Sequence, residues 1–413
     1  MHSTRPKLGR NVVALAVVSF LTDVSSELIY PLLPVFLTVT LGASAGMVGV
    51  IEGVAESTSA LLRLASGWWS DRVKRRKPAI VLGYVVATAM RPLVAIAQSA
   101  TQVLAIRVTD RVGKGIRTSP RDALIADSVD EQIRGRAYGF HRAMDHAGAF
   151  LGPLVAFALL NWAALTMRTV FWLAAVPGAL SVLVLVVFVR DRAKPTDARG
   201  GVPVVSVGPD SVLDTTRGAD VPTRPGEMPR PFWVYLGIVL IFTLGSSTDS
   251  FLLLRANQLG VPIALSGILW SAHHAVKSLF STPGGALSDR LGRIPTMVIG
   301  WVVYTLVYFG FAEASTQWHV WGLFLVYGLF YALTEGAERA LVADIVPAAR
   351  RGAAFGWFNL VTGLGALPAS IVFGIIWDRA GAHSAFVFGA SIAMMASLAL
   401  IAFATANRGK LGR

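Results

Sequence analysis

Of the 413 residues, 54% are apolar and only 15% charged, the mean hydropathy is +0.59 and the formal charge is +13. That balance lies outside the range of soluble globular chains and makes a bilayer the natural solvent, with no stretch left over for a soluble domain. The chain has no cysteine, which excludes disulfides, thiolate metal sites and cysteine nucleophiles; the basic residues lie in loops between apolar runs rather than on one aqueous face, which argues against a nucleic-acid partner.

A spanning helix needs about 20 mainly apolar residues. The first such run, 11–40, follows Arg5, Lys7 and Arg10 and is too long for a signal peptide, so it reads as a retained helix at the end of a short 1–10 terminus. Spans are expected next at 46–70, 78–99, 101–128, 132–160 and 168–189, completing a bundle over 11–189. Residues 190–230 are rich in Pro, Gly, Asp, Thr and Val without helical period and read as a flexible linker. A second bundle over 231–406 follows, with spans at 231–256, 261–289, 294–314, 317–345, 350–378 and 382–406, and 407–413 form the tail. The expected fold is all-α and polytopic, with twelve transmembrane helices in two six-helix bundles. Placing both termini in the cytoplasm puts almost every loop Lys and Arg on that side and only Arg168 and Arg379 on the other, as the positive-inside rule requires. The expected location is the plasma membrane, a bacterial inner membrane, with lipid as surroundings.

The second half echoes the first at an offset of 217 or 218 residues. Gly67-Trp68-Trp69-Ser70-Asp71-Arg72 matches Gly285-Ala286-Leu287-Ser288-Asp289-Arg290, and Ala126-Asp127 with Arg134-Gly135 matches Ala343-Asp344 with Arg351-Gly352. A bundle of two similar halves can rock about a central site. The run Gly67-x-x-x-Asp71-Arg72-x-Lys74-Arg75-Arg76-Lys77 resembles the loop signature of the major facilitator superfamily, and Gly285-x-x-x-Asp289-Arg290-x-Gly292-Arg293 resembles its second copy, with Lys74 standing where the first prefers glycine. The resemblance covers the whole chain. It implies a cytoplasmic latch that favours an outward-facing state, carried by Gly67, Asp71, Arg72 and Arg75 and by Gly285, Asp289 and Arg290. Arg111-x-x-Lys114-Gly115 is similar to an element of that family linked with proton coupling. Gly139, Gly148, Gly152 and Pro153 resemble its glycine-rich antiporter motif, although Ala156 and Phe157 replace the usual terminal glycine pair.

Ionisable groups within apolar spans cost about 2.5–3.5 kcal/mol each on insertion scales, so each asks for a partner or a watery cavity. Asp23 and Glu27 share one face of the first helix, and Glu52, Glu56 and Arg63 form a stripe on the second. The fourth carries Arg107, Asp110, Arg111, Lys114, Arg117, Arg121 and Asp122, and the fifth His141, Arg142, Asp145 and His146. Asp23 and Glu27, with Arg111 and Asp145, are the expected proton-coupling groups, and Asp23 and Glu27 are expected to meet Lys114, Arg117 or Arg121. The cavity is expected to be lined by Glu56, Lys114, Arg117, Arg121, His141, Asp249, His273, Lys277 and Glu335.

No phosphate-binding loop, metal cluster or serine-nucleophile motif is present, so the sequence calls for neither a cofactor nor enzyme chemistry. The leading expectation is a proton-coupled exporter of a small molecule. Its rival is uptake of an anionic metabolite or metal chelate by the embedded bases, and a receptor or scaffold that has kept the fold without transport is a third class.

Overall fold

The computed structural model describes residues 8–43, 45–73, 75–191, 228–247, 249–261 and 263–407. The expected linker lies outside them over 192–227, as do most of both termini and Lys74 of the first loop signature. Among the described residues there is no strand, and the helices make twelve crossings in two groups of six.

Six crossings are single helices close to their expected bounds: Ala45–Arg72, Ala100–Asp127, Arg134–Asn161, Ile263–Leu291, Arg293–Glu313 and Gln317–Ile345. The others are broken or joined for identifiable reasons. The first span, expected as one helix, stops at Glu27 and continues as Tyr30–Leu32, Leu33–Val35 and a π-turn, Phe36–Thr40. Pro31 has no N–H to offer the Glu27 carbonyl, and its ring crowds that carbonyl, so the helix ends there. The third span passes from Lys77–Met90 into a 3-10 turn, Arg91–Ile96, containing Pro92; the sixth is Met167–Leu173 with Ala175–Phe188; the seventh is Arg230–Gly245 with Asp249–Gln258. The eleventh and twelfth form one continuous run, Arg351–Ala406, turned only at Gly381, whose φ of +84° L side chains rarely adopt.

The second and fourth spans carry charged residues along their lengths, Glu52, Glu56 and Arg63 on one and seven ionisable residues from Arg107 to Asp122 on the other. They remain in the bundle because they neutralise each other: Arg107 reaches Glu52 at 2.9 Å, and Glu56 lies 3.1 Å from Arg111 and 3.6 Å from Lys114. The second half is built differently, on stacked rings such as Phe242 on Trp301 at 4.3 Å and Tyr304 on Tyr308 at 4.2 Å. The fold repeats, but the chemistry of its interior does not.

The halves meet where the second span crosses the eleventh and the fifth crosses the eighth. A Cβ at Gly67 would strike the backbone of Gly352, and one at Gly285 that of Gly135, so both crossings depend on small residues that let backbones touch. The end of the bundle holding these crossings also carries the basic loops and is called the basic end below.

Candidate functional site

Two equivalent constellations close the basic end. The Asp71 carboxylate accepts from the backbone N–H of Gly352 at 3.0 Å and of Ala353 at 2.7 Å, in the first turn of the eleventh span. One repeat on, Asp289 accepts from Gly135 at 2.8 Å and Arg136 at 2.7 Å, in the first turn of the fifth. Each acid satisfies amides that a helix start leaves without partners and meets the positive end of the helix dipole. Beside them Arg76 pairs with Asp127 at 3.1 Å, and Arg293 with Asp344 at 3.0 Å. Arg351 crosses to Asp127 at 2.7 Å, and Arg134 crosses to Asp344. Arg76 also donates across the boundary to the Ala348 carbonyl, and Arg293 to that of Glu131.

The arginines expected in this assembly are therefore the wrong members of the run. Arg72 is exposed, its guanidinium 3.0 Å from the centre of the Trp68 ring, and Arg75 and Arg290 are exposed with no acid within 4 Å among the described residues. Arg72 and Arg290 still lie on the second and eighth spans, whereas Arg76 caps the third span and Arg293 begins the ninth, and it is these helix starts that reach the partner half. Arg76, Asp127, Arg134, Arg293, Asp344 and Arg351 were all missed as site residues. The repeat was the signal, since four of them stand in its second matched block and Arg76 and Arg293 are also 217 apart.

Deeper in the bundle a second set of charges joins the halves. Glu335 of the tenth span lies 3.2 Å from His146 and 3.6 Å from Arg142 of the fifth, and Arg142 also holds Asp145 at 2.8 Å. Arg339 approaches Asp122 at 3.5 Å, while Arg121 pairs with the same acid at 3.1 Å and donates to the Ser19 hydroxyl at 3.0 Å. His141 is buried 3.6 Å from Asp145. Asp145 and Arg121 are thus in ion pairs, and so is Arg111, held by Glu56 and by Asp110 at 3.4 Å.

The Glu56 side chain is 50% exposed and that of Lys114 34%, with 3.6 Å between them. Among the described residues Asp23 and Glu27 have no ion pair, contrary to the expected meeting with the fourth-span bases; Arg117 is a charged neighbour of Asp23, and Arg111 and Lys114 of Glu27, all beyond ion-pair reach. Every other carboxylate within the first six spans has a cationic partner. Arg117 is buried without an acid, its guanidinium 4.0 Å over the Tyr84 ring and two of its nitrogens without hydrogen bonds.

The glycine motif divides its contacts. Gly139 packs on Ser281 and Gly285 across the half boundary, whereas a Cβ at Gly148 would meet Asp23 and one at Gly152 would meet Glu27. Pro153 stays within the helix, one residue beyond that contact. In the second half Asp249 accepts from the hydroxyls of Tyr327 at 2.8 Å and Tyr331 at 3.4 Å. Lys277 is buried with no acid within 4 Å among the described residues, its Nζ 3.4 Å over the Tyr331 ring, and His273 stacks on Tyr327 with Nδ1 3.1 Å from the Phe324 carbonyl. Among the described residues no His, Asp and Glu gather as a metal site.

Two six-helix repeats joined by paired contacts at one end define a multi-pass membrane protein with the architecture of a carrier. Residues 15–273 and 234–412 match the sequence model of the Major Facilitator Superfamily. An uncharacterized MFS-type transporter of Methanocaldococcus jannaschii is 32% identical over 96% of this chain and 95% of its own. The multidrug resistance protein MdtH of Aeromonas hydrophila is 24% identical over 91% of this chain and 89% of its own. In fold, the chain resembles the crystal structure of the human organic anion transporter MFSD10, with a TM-score of 0.76 over 96% of this chain and 100% of that one at 16% identity. The chain belongs to the Major Facilitator Superfamily, and its family and fold mark a transporter of small molecules rather than an enzyme.

Proposed function

We propose that this transporter exports a small solute in exchange for protons carried on Asp23 and Glu27. One observation carries the reading: these are the two carboxylates of the first six spans without an ion pair among the described residues, and the glycines that resemble an antiporter motif pack directly on their turns. A carboxyl in an apolar surround with no paired cation exchanges its proton at modest cost, whereas one locked to arginine stays charged through the cycle. The relative named a multidrug resistance protein agrees with efflux. The basic end is the cytoplasmic end in this reading, which places both termini in the cytoplasm and makes the conformation outward-facing; the bundles are 11–189 and 231–406, joined by the 190–230 linker. Asp71 and Asp289 with their amides, and the arginine pairs beside them, are the latch that breaks when the carrier turns inward.

The test is solute flux in proteoliposomes under an imposed pH gradient. Wild-type protein moves solute toward the acid side, and the movement stops when an ionophore collapses the gradient. Asp23→Asn and Glu27→Gln retain downhill exchange and lose the response to the gradient. Wild-type flux indifferent to the gradient sinks the reading.

A second reading, uptake of an anion, has its own observation: Arg117 and Lys277 are buried bases, one in each half, with no acid within 4 Å among the described residues. Of the other bases expected to serve it, Arg121 is held by Asp122 and Ser19, Lys114 by Glu56, and Arg255 by the Phe311 and Ala314 carbonyls. Arg117→Gln then abolishes binding of carboxylates while leaving lipophilic cations unaffected. Any flux at all removes the receptor or scaffold reading.

A further inference from the structure

At the basic end, between the third and sixth spans, lies a groove of about 760 Å³ that no part of the transport cycle uses. Its walls are apolar and face the bilayer: Leu82, Val85, Val186 and Val187 are all exposed. Its rim is basic, formed by Arg75, Lys77 and Arg190. Arg75 and Arg190 are exposed and meet no acid within 4 Å among the described residues, and Lys77 spends one N–H on the Val186 carbonyl at 2.8 Å. The one acid at the rim, Asp191, is bonded to backbone rather than to a side-chain cation. Its Oδ1 accepts from the backbone N–H of Arg76 at 3.2 Å and of Lys77 at 3.4 Å, capping the third span.

We propose that this groove binds an acidic glycerophospholipid, its phosphate among Arg75, Lys77 and Arg190 and one acyl chain along the valines, and that the bound lipid favours the closed basic end. Three bases against one acid, none of them ion-paired within 4 Å among the described residues, set beside an apolar channel, fit a lipid of net negative charge. A choline headgroup would bring its own ammonium into the same cluster. The link to conformation is Arg76, which stands between two rim residues and forms ion pairs with Asp71 at 3.4 Å and Asp127 at 3.1 Å. A lipid that fixes Arg75 and Lys77 fixes the backbone from which Arg76 reaches the half boundary. The site is independent of which solute is carried and of the direction of transport.

The test uses the full-length protein in nanodiscs of phosphatidylcholine with and without phosphatidylglycerol, read by native mass spectrometry for retained lipid and by thermal melting. Wild-type protein retains phosphatidylglycerol in preference to phosphatidylcholine and melts higher with it. Each base removed weakens that preference about fivefold, so Arg75→Gln with Arg190→Gln lowers it by more than tenfold. The control pair Arg290→Gln with Arg350→Gln, at the same end of the other half, retains it. Cysteines introduced at Val73 and Ala349 carry spin labels across the half boundary; phosphatidylglycerol shortens their distance in wild-type background and leaves it unchanged in the Arg75/Arg190 double variant. Equal retention of both lipids, or a preference that survives the double variant, overturns the proposal. So does a gain in lipid binding when residues 192–227 are replaced by a Gly-Ser segment of equal length, because the occupant is then the chain's own linker.

Discussion

Arg351 donates to the Asp127 carboxylate at 2.7 Å across the boundary between the halves, and 217 residues earlier Arg134 is paired with Asp344 in the same sense. Each acid is shared with an arginine of its own half, Arg76 for Asp127 and Arg293 for Asp344. The closure is thus built twice, and each acid bridges a pair internal to one half and a pair that spans both.

Asp127→Asn removes the anion from two arginines at once. The internal pair matters in both conformations, but the crossing pair exists only when the basic end is closed, so the variant shifts the balance toward the open form. Losing a charged hydrogen bond of this kind costs about 2 kcal/mol, a shift of about thirtyfold. Spin-label distances across the basic end report it directly. Arg72→Gln, in the loop signature but outside the boundary, leaves the same distances unchanged.

At Gly352 the argument is steric. A Cβ there would meet the Gly67 carbonyl and sit 2.7 Å from Asp71 Oδ1, so the two backbones cannot approach and the carboxylate cannot reach its amides. Gly352→Val therefore disfavours the closed form more strongly than Asp71→Asn, which keeps the backbone contact and loses the charge and one of the two acceptor oxygens. Labelling of a cysteine introduced on the basic-end side of the cavity should rise in the order wild type, Asp71→Asn, Gly352→Val. The reverse order would mean that charge, not contact, holds the crossing.

The crossings, the two-fold repeat and the acids on the first span were legible because each is a matter of local spacing: apolar runs of spanning length, a matched block at a fixed offset, and an i, i+4 pair. What was not legible is which charges meet. Asp71 was readable as a group that seats on a helix start, yet choosing Arg76 over Arg72 or Arg75 needs the position of the third span's start, which is set by long-range contacts such as Asp191 on the Arg76 N–H and Arg76 on the Ala348 carbonyl. The same holds on the fourth span, where seven ionisable residues are visible but only the fold gives Glu56 to Arg111 and Lys114 and leaves Arg117 over Tyr84. The break at Glu27 was signalled by Pro31, whereas the join of the last two spans at Gly381 had no composition change to reveal it.

Glu335 is the acid through which the tenth span meets the fifth in mid-bundle, shared by His146 at 3.2 Å and Arg142 at 3.6 Å. Glu335→Ala leaves Arg142 its partner Asp145 but strips His146 of its acid. Because an uncompensated buried polar group costs about 1–3 kcal/mol, the variant melts several degrees lower. Glu335→Gln, which can still accept from His146, recovers most of that loss, whereas a role for charge alone would leave the two variants equally impaired.

The last prediction concerns how Gly148 presses on Asp23. If protons and solute compete for the turn that carries Asp23 and Glu27, solute binds more tightly at pH 8 than at pH 6, because the carboxyls must be ionised to bind it and each proton released steepens the dependence by up to about tenfold per pH unit. Asp23→Asn with Glu27→Gln flattens that slope. Gly148→Ala changes no titratable group, yet its new Cβ falls 2.5 Å from the Phe20 carbonyl and 2.9 Å from the Asp23 Cβ, forcing the first span off the fifth. Water then gains access to the turn, the proton can leave without solute, and the pH slope of binding survives while gradient-driven flux becomes leaky. Isothermal titration at the two pH values, paired with flux under a fixed gradient, separates the cases: loss of slope in Gly148→Ala would show that the glycine shapes the solute site itself, and intact slope with uncoupled flux would place it in the coupling between proton and solute.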